Sequence, residues 1–172
     1  MKVSVELADL SLAHPHRLWR DIRLAAISVM VADGRKSPFH FDLSVQEVPG
    51  FDDDALQMTI EPGKFREADL ARVRRTYEAS RLIEFAAVAI DGLGLYHAGS
   101  HQIQGVALRG TGADYLVDEE QYPIEIAGRS KRSDLEAAWR QKWRRLSASI
   151  GQDFYVCVAE FETPSGRLAY KH

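Results

Sequence analysis

The feature that most constrains this fold is a pair of short strand-like segments joined by an acidic turn. The segments cover residues 112–118 and 122–129, and two short runs of this kind around a polar turn are typical of the strands of a β-hairpin. The pattern predicts one acidic side chain in each strand, Asp114 in the first and Glu125 in the second. Because neighbouring carboxylates repel each other, we expect a cation between them. The carboxylate pair is therefore the predicted centre of the functional site.

A helical segment precedes the hairpin. Nearly all side chains over residues 82–90 are apolar, which predicts a helix that is buried on every side. Glu84 is the one charged residue in this run, and a buried glutamate needs an ionic partner, a raised pKa or a metal ion. The alternative interpretation is a local ion pair between Glu84 and Arg81.

A second helix is predicted after the hairpin, over residues 133–147. A capping box at residues 133–136 marks its start, because a serine and a glutamate at this spacing can each bond a free backbone amide. Apolar side chains at helical spacing form one face, and Lys142 projects from that face. We expect Lys142 either to extend its amine to the edge of the sheet or to bind the carboxylates of the hairpin. Three arginines of this helix are expected to point elsewhere: Arg140, Arg144 and Arg145.

The first third of the chain predicts an antiparallel β meander. Three alternating segments fit half-buried strands, and residues 22–31 fit either a strand or a short helix. We therefore predict an α+β fold. It has an N-terminal β-rich layer over residues 1–62 and an α/β core over residues 63–172, or one compact domain that contains both.

The composition is that of a soluble globular protein. Hydrophobic residues make up 45% and charged residues 27% of the 172 positions. No uninterrupted apolar run reaches the roughly 18 residues of a membrane span, and no signal-peptide pattern opens the chain. The single cysteine, Cys157, excludes an intramolecular disulfide. We therefore expect a cytoplasmic protein that does not bind a membrane.

The charges are unevenly distributed along the chain. A net charge of −3 argues against a generally basic, nucleic-acid-coating protein, but residues 129–145 carry seven basic and two acidic side chains. A basic segment beside a carboxylate pair suits a polyanionic substrate. The alternative interpretation is the solvated face of a surface helix. The candidate nucleic-acid-binding residues are Arg129, Lys131, Arg132, Arg140 and Arg144.

The C-terminal half resembles a known family. From residue 82 onward the predicted order is helix, three-stranded meander, helix and strand, with acids in the first helix, the second strand and the third strand. This α-β-β-β-α-β order resembles the core of the PD-(D/E)XK nuclease superfamily, the restriction-endonuclease-like fold. The resemblance implies that Asp114 and Glu125 hold Mg²⁺ or Mn²⁺ and that Glu84 assists them. The metal would activate water and stabilise charge on a phosphate.

One position departs from the family pattern. The family has a lysine two residues after the acid of the third strand, and this chain has Ala127 there. An alanine can neither orient a water nor offset the charge of a phosphate. In the family this lysine is sometimes supplied by the following helix, which implies Lys142 as the substitute and Arg129 as the second choice.

Three functional interpretations stay open. The first is a metal-dependent nuclease in a DNA-repair, mobile-element or phage-defence setting. Its catalytic residues would be Glu84, Asp114, Glu125 and Lys142. The second is a nuclease-like domain that has lost catalysis and serves as a binding or assembly module for protein partners or for copies of itself. The third is an unrelated α+β protein whose acids are structural.

Overall fold

The chain folds into an α+β structure with one mixed sheet. The computed structural model describes residues 1–14, 19–108, 112–119 and 121–172, except for the side chain of Asp33. Within these ranges there are eight strands, all in the same sheet, and five α-helices. The predicted α+β class is confirmed. Glu120, in the predicted acidic turn, lies outside the described residues.

Short runs of strands and of helices follow one another along the chain. The strands are β1 (Lys2–Glu6), β2 (Phe39–Gln46), β3 (Ala55–Glu61), β4 (Ile103–Val106), β5 (Tyr115–Val117), β6 (Tyr122–Arg129), β7 (Phe154–Glu160) and β8 (Ser165–Lys171). The helices are α1 (Leu10–Ala13), α2 (Arg20–Met30), α3 (Glu67–Thr76), α4 (Ala79–Gly99) and α5 (Leu135–Ser149).

The sheet runs without a break through both halves of the chain. Its strand order is β1-β3-β2-β8-β7-β6-β5-β4. The pairs β1–β3, β2–β8 and β6–β7 are parallel, and the other neighbours are antiparallel. Because β2 lies beside β8, the strands of residues 1–62 extend the same sheet that contains the hairpin.

The prediction of an antiparallel N-terminal meander is wrong in the pairing of its first strand. Residues 20–30 form helix α2, and β1 pairs with β3 in parallel. A strand can join a parallel neighbour only through a long crossover connection, and α2 lies in that connection. Fully buried Ala25, Ala26 and Ile27 place α2 in the core that also contains α4. This burial selects the helix where the sequence allowed either a helix or a strand.

The two faces of the sheet carry different helices. On one face, α2 and α4 cover a large core that includes Ile124 and Ile126 of β6. On the other face, α5 covers a smaller core that includes Ala127. Because successive side chains of a strand point to opposite faces, Glu125 lies on the α5 face together with Ala127.

Helix α4 is packed into the centre of the fold. At Gly128 of β6, a Cβ atom would lie 2.3 Å from the backbone oxygen of Ile83, so only glycine fits this contact. In the described part of the chain, α4 is the one helix long and apolar enough to cross a membrane. Most of its apolar length is buried inside the protein, as in the core helix of a soluble protein.

Helix α5 starts two residues later than predicted, and its capping box does not form. A short 3₁₀ turn, Arg132–Asp134, precedes it, and the N-cap residue Asp134 makes no side-chain capping bond. The predicted partner in the box, Glu136, instead pairs with Arg167 of β8 at 3.1 Å. A cation from the sheet competes successfully with the backbone amides for this carboxylate.

Candidate functional site

The carboxylate of Glu125 is the centre of a buried ion-pair cluster under α5. Its side chain is completely buried. The Nζ atom of Lys142 donates a hydrogen bond to Oε1. Arg145 donates from Nη2 to Oε1 and from Nε to Oε2, the latter at 3.2 Å. The cation expected beside the carboxylate pair is therefore supplied by α5.

Burial is the strongest influence on the pKa of Glu125, and it raises this pKa. The hydrogen bond and charge of Lys142, and then the charge of Arg145, oppose the rise, while the nearby charge of Asp114 adds to it. The net effect is a raised pKa. Inside the protein this carboxylate depends on its two cationic partners to stay ionised.

Asp114 lies one residue before β5, not inside it as predicted. Its N–H donates to the oxygen of Ile124 at 3.0 Å, and its Oδ2 accepts the N–H of Ile126 at 3.1 Å. Strand β6 extends beyond β5 at this point, and the aspartate side chain satisfies the backbone amide that β5 leaves unpaired. Asp114 therefore has a structural role at the edge of β6.

Glu84 lies at the surface, so the prediction of a helix buried on every side is wrong at this turn. The side chain is 53% exposed and pairs with Arg81 at 2.9 Å. The alternative interpretation, a local ion pair, is confirmed. The physical reason is that the first turns of α4 leave one side open to the cleft described next.

Three of the four predicted catalytic residues line one cleft. Glu84, Asp114 and Lys142 border a space of about 430 Å³ between the N-terminal half of α4, the free edge of β6 and α5. Glu125 is buried behind the residues that line the cleft. It does not line the cleft itself, but its partner Lys142 does. The fold thus brings the four side chains to one region without exposing all of them to a common point.

Cationic and aromatic groups also line the cleft. Arg81 comes from α4, and Arg129 comes from the end of β6. Ala127 borders the cleft at the position where the resembled family has its lysine. Phe85 and Tyr115 add aromatic surface.

As arranged here, the acids do not converge on one point as a preassembled metal site would. Within the described ranges, no three His, Cys, Asp or Glu side chains are grouped closely enough to hold a metal ion. Both oxygens of Glu125 are occupied by cations of α5, and one oxygen of Asp114 accepts a backbone N–H. Mg²⁺ requires near-octahedral oxygen ligation. Of the set implied by the resemblance, Asp114 and Glu84 each keep one carboxylate oxygen without a hydrogen bond among the described residues, whereas Glu125 keeps none.

The five predicted nucleic-acid-binding residues lie on separate surfaces. Arg129 lines the cleft, and Lys131 lines a different cavity beside α2 and α4. Arg132 lies in the 3₁₀ turn before α5 and donates hydrogen bonds to Glu162 and Ser165, at the connection between β7 and β8. Arg140 and Arg144 are exposed on α5. Clustering in sequence therefore does not produce one basic patch.

Sequence reasoning missed Arg145. It was expected to point away from the sheet, but it binds Glu125 and also donates to the backbone oxygen of Gly112 at 2.9 Å. The available signal was its spacing, because a residue three positions after Lys142 lies on a neighbouring part of the helix surface. A long guanidinium side chain can reach the sheet from there.

Glu160, at the end of β7, was also missed. The buried carboxylate accepts bonds from the N–H groups of Glu162 and Thr163 and from the hydroxyls of Thr163 and Ser165. Burial would raise the pKa of Glu160, but these hydrogen bonds outweigh burial and lower it. The signal was a glutamate followed by hydroxyl residues three and five positions later, across a turn. Glu160 fixes the turn from β7 to β8.

The comparisons with known proteins add no relative from which a function can be transferred. The resemblance to the PD-(D/E)XK nucleases therefore stays a prediction from the sequence. No protein-family model, no curated protein and no solved structure matches this chain.

Proposed function

We propose that this chain is a non-catalytic nucleic-acid-binding module built on a core like that of the PD-(D/E)XK nucleases. The order of α4, the antiparallel strands β4, β5 and β6, α5, and then β7 parallel to β6 supports the likeness. It is the order of helix, three-stranded meander, helix and strand that the resemblance implies. In this proposal, ion pairs occupy the place of an ancestral metal site.

The observation that carries the proposal is the occupation of Glu125 by Lys142 and Arg145. A metal ligand must offer free oxygen lone pairs, and both oxygens of this carboxylate accept hydrogen bonds from cations. Releasing it would break a buried ion pair, which costs about 3 kcal/mol or more. The carboxylate is therefore not readily freed for a metal, and we derive no catalytic step from it.

The cleft in front of this cluster suits a phosphate backbone. Arg129 lines it and forms no ion pair with any acid in the described part of the chain. The guanidinium of Arg81 forms an exposed pair with Glu84 and lies over the ring of Phe85. An exposed pair of this kind contributes little to stability and can be exchanged for a phosphate. Phe85 adds an aromatic ring beside Arg81, against which an unpaired base can pack. This combination favours single-stranded nucleic acid.

Fluorescence anisotropy with labelled single-stranded and duplex oligonucleotides tests the proposal. We expect salt-sensitive binding that is stronger for the single strand. The substitution Arg129→Gln should weaken the binding of the single strand about fivefold, because it removes one partly exposed charge contact. The matched control is Lys2→Gln, which removes the same charge from exposed strand β1 at the opposite edge of the sheet and should leave affinity unchanged.

Two outcomes would contradict this function. Absence of binding at low salt would favour the alternative module that binds proteins or its own copies. Equal losses in the Arg129 and Lys2 variants would mean that binding follows net charge and does not use the cleft.

The metal-dependent nuclease remains a second candidate because Glu84, Asp114 and Lys142 line the same cleft. Incubation of linear and circular DNA and of RNA with the protein and Mg²⁺ or Mn²⁺ tests it, with Asp114→Ala as the control. We expect no cleavage and no rise in Tm with Mn²⁺. A ligand that bound the native state would raise the Tm, so the Tm reports on metal binding even without cleavage. Cleavage and a Mn²⁺-dependent Tm rise that both disappear in Asp114→Ala would establish the nuclease instead.

A further inference from the structure

A second cavity lies on the other side of α4, away from the cleft of the proposed function. It has a volume of about 470 Å³, within the roughly 300–1,000 Å³ of small-molecule sites. Its apolar wall is formed by residues from α2, from α4 and from the end of β7: Val29, Leu82, Ile83 and Phe161. Such a wall can bury the hydrophobic body of a ligand.

Cationic side chains border the same cavity. Arg35, Arg74 and Lys131 line it together with one acid, Glu162. Arg74 and Lys131 form no ion pair with any acid in the described ranges, whereas Glu162 already accepts a bond from the backbone N–H of Arg132. In a protein with a net charge of −3, this local excess of positive charge favours an anion.

Ser28 supplies an independent indication of a ligand. It lies on α2, is only 5% exposed and lines the cavity. Its Oγ has no hydrogen-bond partner among the described residues. Because a buried hydroxyl without a partner is destabilising, a polar group bound in the cavity would satisfy it.

The backbone around the cavity also favours an anion. Ala79, the first residue of the 21-residue helix α4, lines the cavity, and the N-cap residue Glu78 makes no side-chain capping bond. Unpaired amides and the helix dipole attract negative charge at such a terminus. The cavity also lies beyond the carboxyl ends of the parallel strands β6 and β7, where ligands bind in open α/β sheets.

We propose that this cavity binds a small soluble organic anion with an apolar body and a carboxylate, sulfonate or phosphate group. The apolar body packs between α2 and α4. The anionic group lies near Arg74, Lys131 and the first turn of α4. The site is separate from the nucleic-acid cleft, and its test does not depend on the proposed function.

Anilinonaphthalene sulfonate, an aromatic sulfonate that fluoresces when it is buried, is a suitable probe. We expect one saturable site on the folded protein, with binding that weakens as salt is added. N-phenylnaphthylamine, a neutral analogue without the sulfonate, should bind at least about tenfold more weakly, because it lacks the charge-assisted hydrogen bonds. Backbone amide NMR should show shifts at Ser28, Ile83 and Ser130 on titration.

A pair of matched variants locates the anion. Arg74→Gln with Lys131→Gln should weaken sulfonate binding about tenfold and leave the neutral analogue unaffected. Both side chains are exposed, so the variant should keep its cooperative thermal unfolding. The control is Arg140→Gln with Arg144→Gln, which removes the same charge from exposed positions of α5 and should not change the affinity.

Several results would overturn the proposal. They are the absence of saturable binding, equal affinity for the charged and neutral probes, equal losses in the two double variants, and amide shifts outside the cavity. If the first double variant does not fold, the salt dependence and the NMR map of the unmodified protein still decide the question.

Discussion

At the scale of single residues, two of the buried acids, Glu125 and Asp91, have opposite surroundings. Glu125 is surrounded by cationic donors. Asp91, on α4, is completely buried, and neither of its carboxyl oxygens has a hydrogen-bond partner in the described ranges. The first acid links the sheet to α5 through cationic partners that oppose the effect of its burial on its pKa. The second can be tolerated only when it is protonated.

We expect Glu125→Gln to destabilise the protein by about 2 kcal/mol, because it leaves Lys142 and Arg145 beside a buried neutral group. Urea unfolding measures the change. Glu84→Gln is the control, since the same substitution there affects an exposed pair with Arg81 and should cost less than about 1 kcal/mol. Similar losses in the two variants would show that the buried cluster is not a significant source of stability.

The second residue-scale prediction concerns pH. Burial raises the pKa of Asp91 well above its ordinary value of 3.8, so the folded state keeps a proton that the unfolded state releases. The stability linked to Asp91 is therefore fully present below pH 3.8 and is lost as pH rises toward the folded-state pKa. We expect Asp91→Asn to remove this loss. The difference in free energy of unfolding between the variant and the unmodified protein should therefore grow in favour of the variant from pH 5 to pH 8. Parallel pH profiles would contradict the assignment.

At the scale of elements, close contacts between backbones set the position of α4. Gly128 permits the approach of α4 to β6, because an added Cβ would meet the backbone oxygen of Ile83 at 2.3 Å. Gly94, on α4 itself, faces a different neighbour. A Cβ there would lie 2.6 Å from the Cδ2 atom of Leu43, at the end of a side chain that can rotate away.

The two glycines should therefore respond differently to alanine. We expect Gly128→Ala to destabilise the protein by about 2 kcal/mol or more, because the whole helix must shift. Gly94→Ala should cost much less, since Leu43 can repack and alanine favours the helix by about 1 kcal/mol. Thermal and urea unfolding measure both. A larger loss at Gly94 would mean that side-chain repacking, not helix position, limits this core.

At the scale of the whole molecule, the pairing of β2 with β8 joins the two halves of the chain in one sheet. Helix α2 from the first half also packs against α4 from the second. Without residues 1–62, the edge of β8 and the covered side of α4 would be exposed. The halves therefore depend on each other for burial.

We expect a single cooperative unfolding transition. Trp19 reports on the first half, and Trp139 and Trp143 report on α5, so comparing Trp19→Phe with the unmodified protein separates the two signals. Fluorescence and circular dichroism should give coincident denaturation curves. A fragment of residues 63–172 should fail to fold alone. Separate transitions, or a stably folded fragment, would show independent domains.

Local patterns were enough to predict several parts of the fold. The two short runs around a polar turn that carry Asp114 and Glu125 predicted a hairpin, and β5 and β6 are antiparallel neighbours. The apolar face of the second helix predicted that Lys142 would point to the sheet, where it meets Glu125. These predictions succeed because periodicity of two or 3.6 residues determines which side chains share a face.

The sequence by itself determined the α+β class, the hairpin that carries Asp114 and Glu125, and the direction of Lys142 toward the sheet. These features follow from residue spacing within one element or between two elements that are adjacent in the chain. Tertiary structure alone decided the parallel pairing of β1 with β3, the exposure of Glu84 and the capture of Glu125 by Arg145 as well as Lys142. Each of these depends on which distant elements pack together. That choice is made by the burial of whole helices against the sheet, which no local pattern of residues contains.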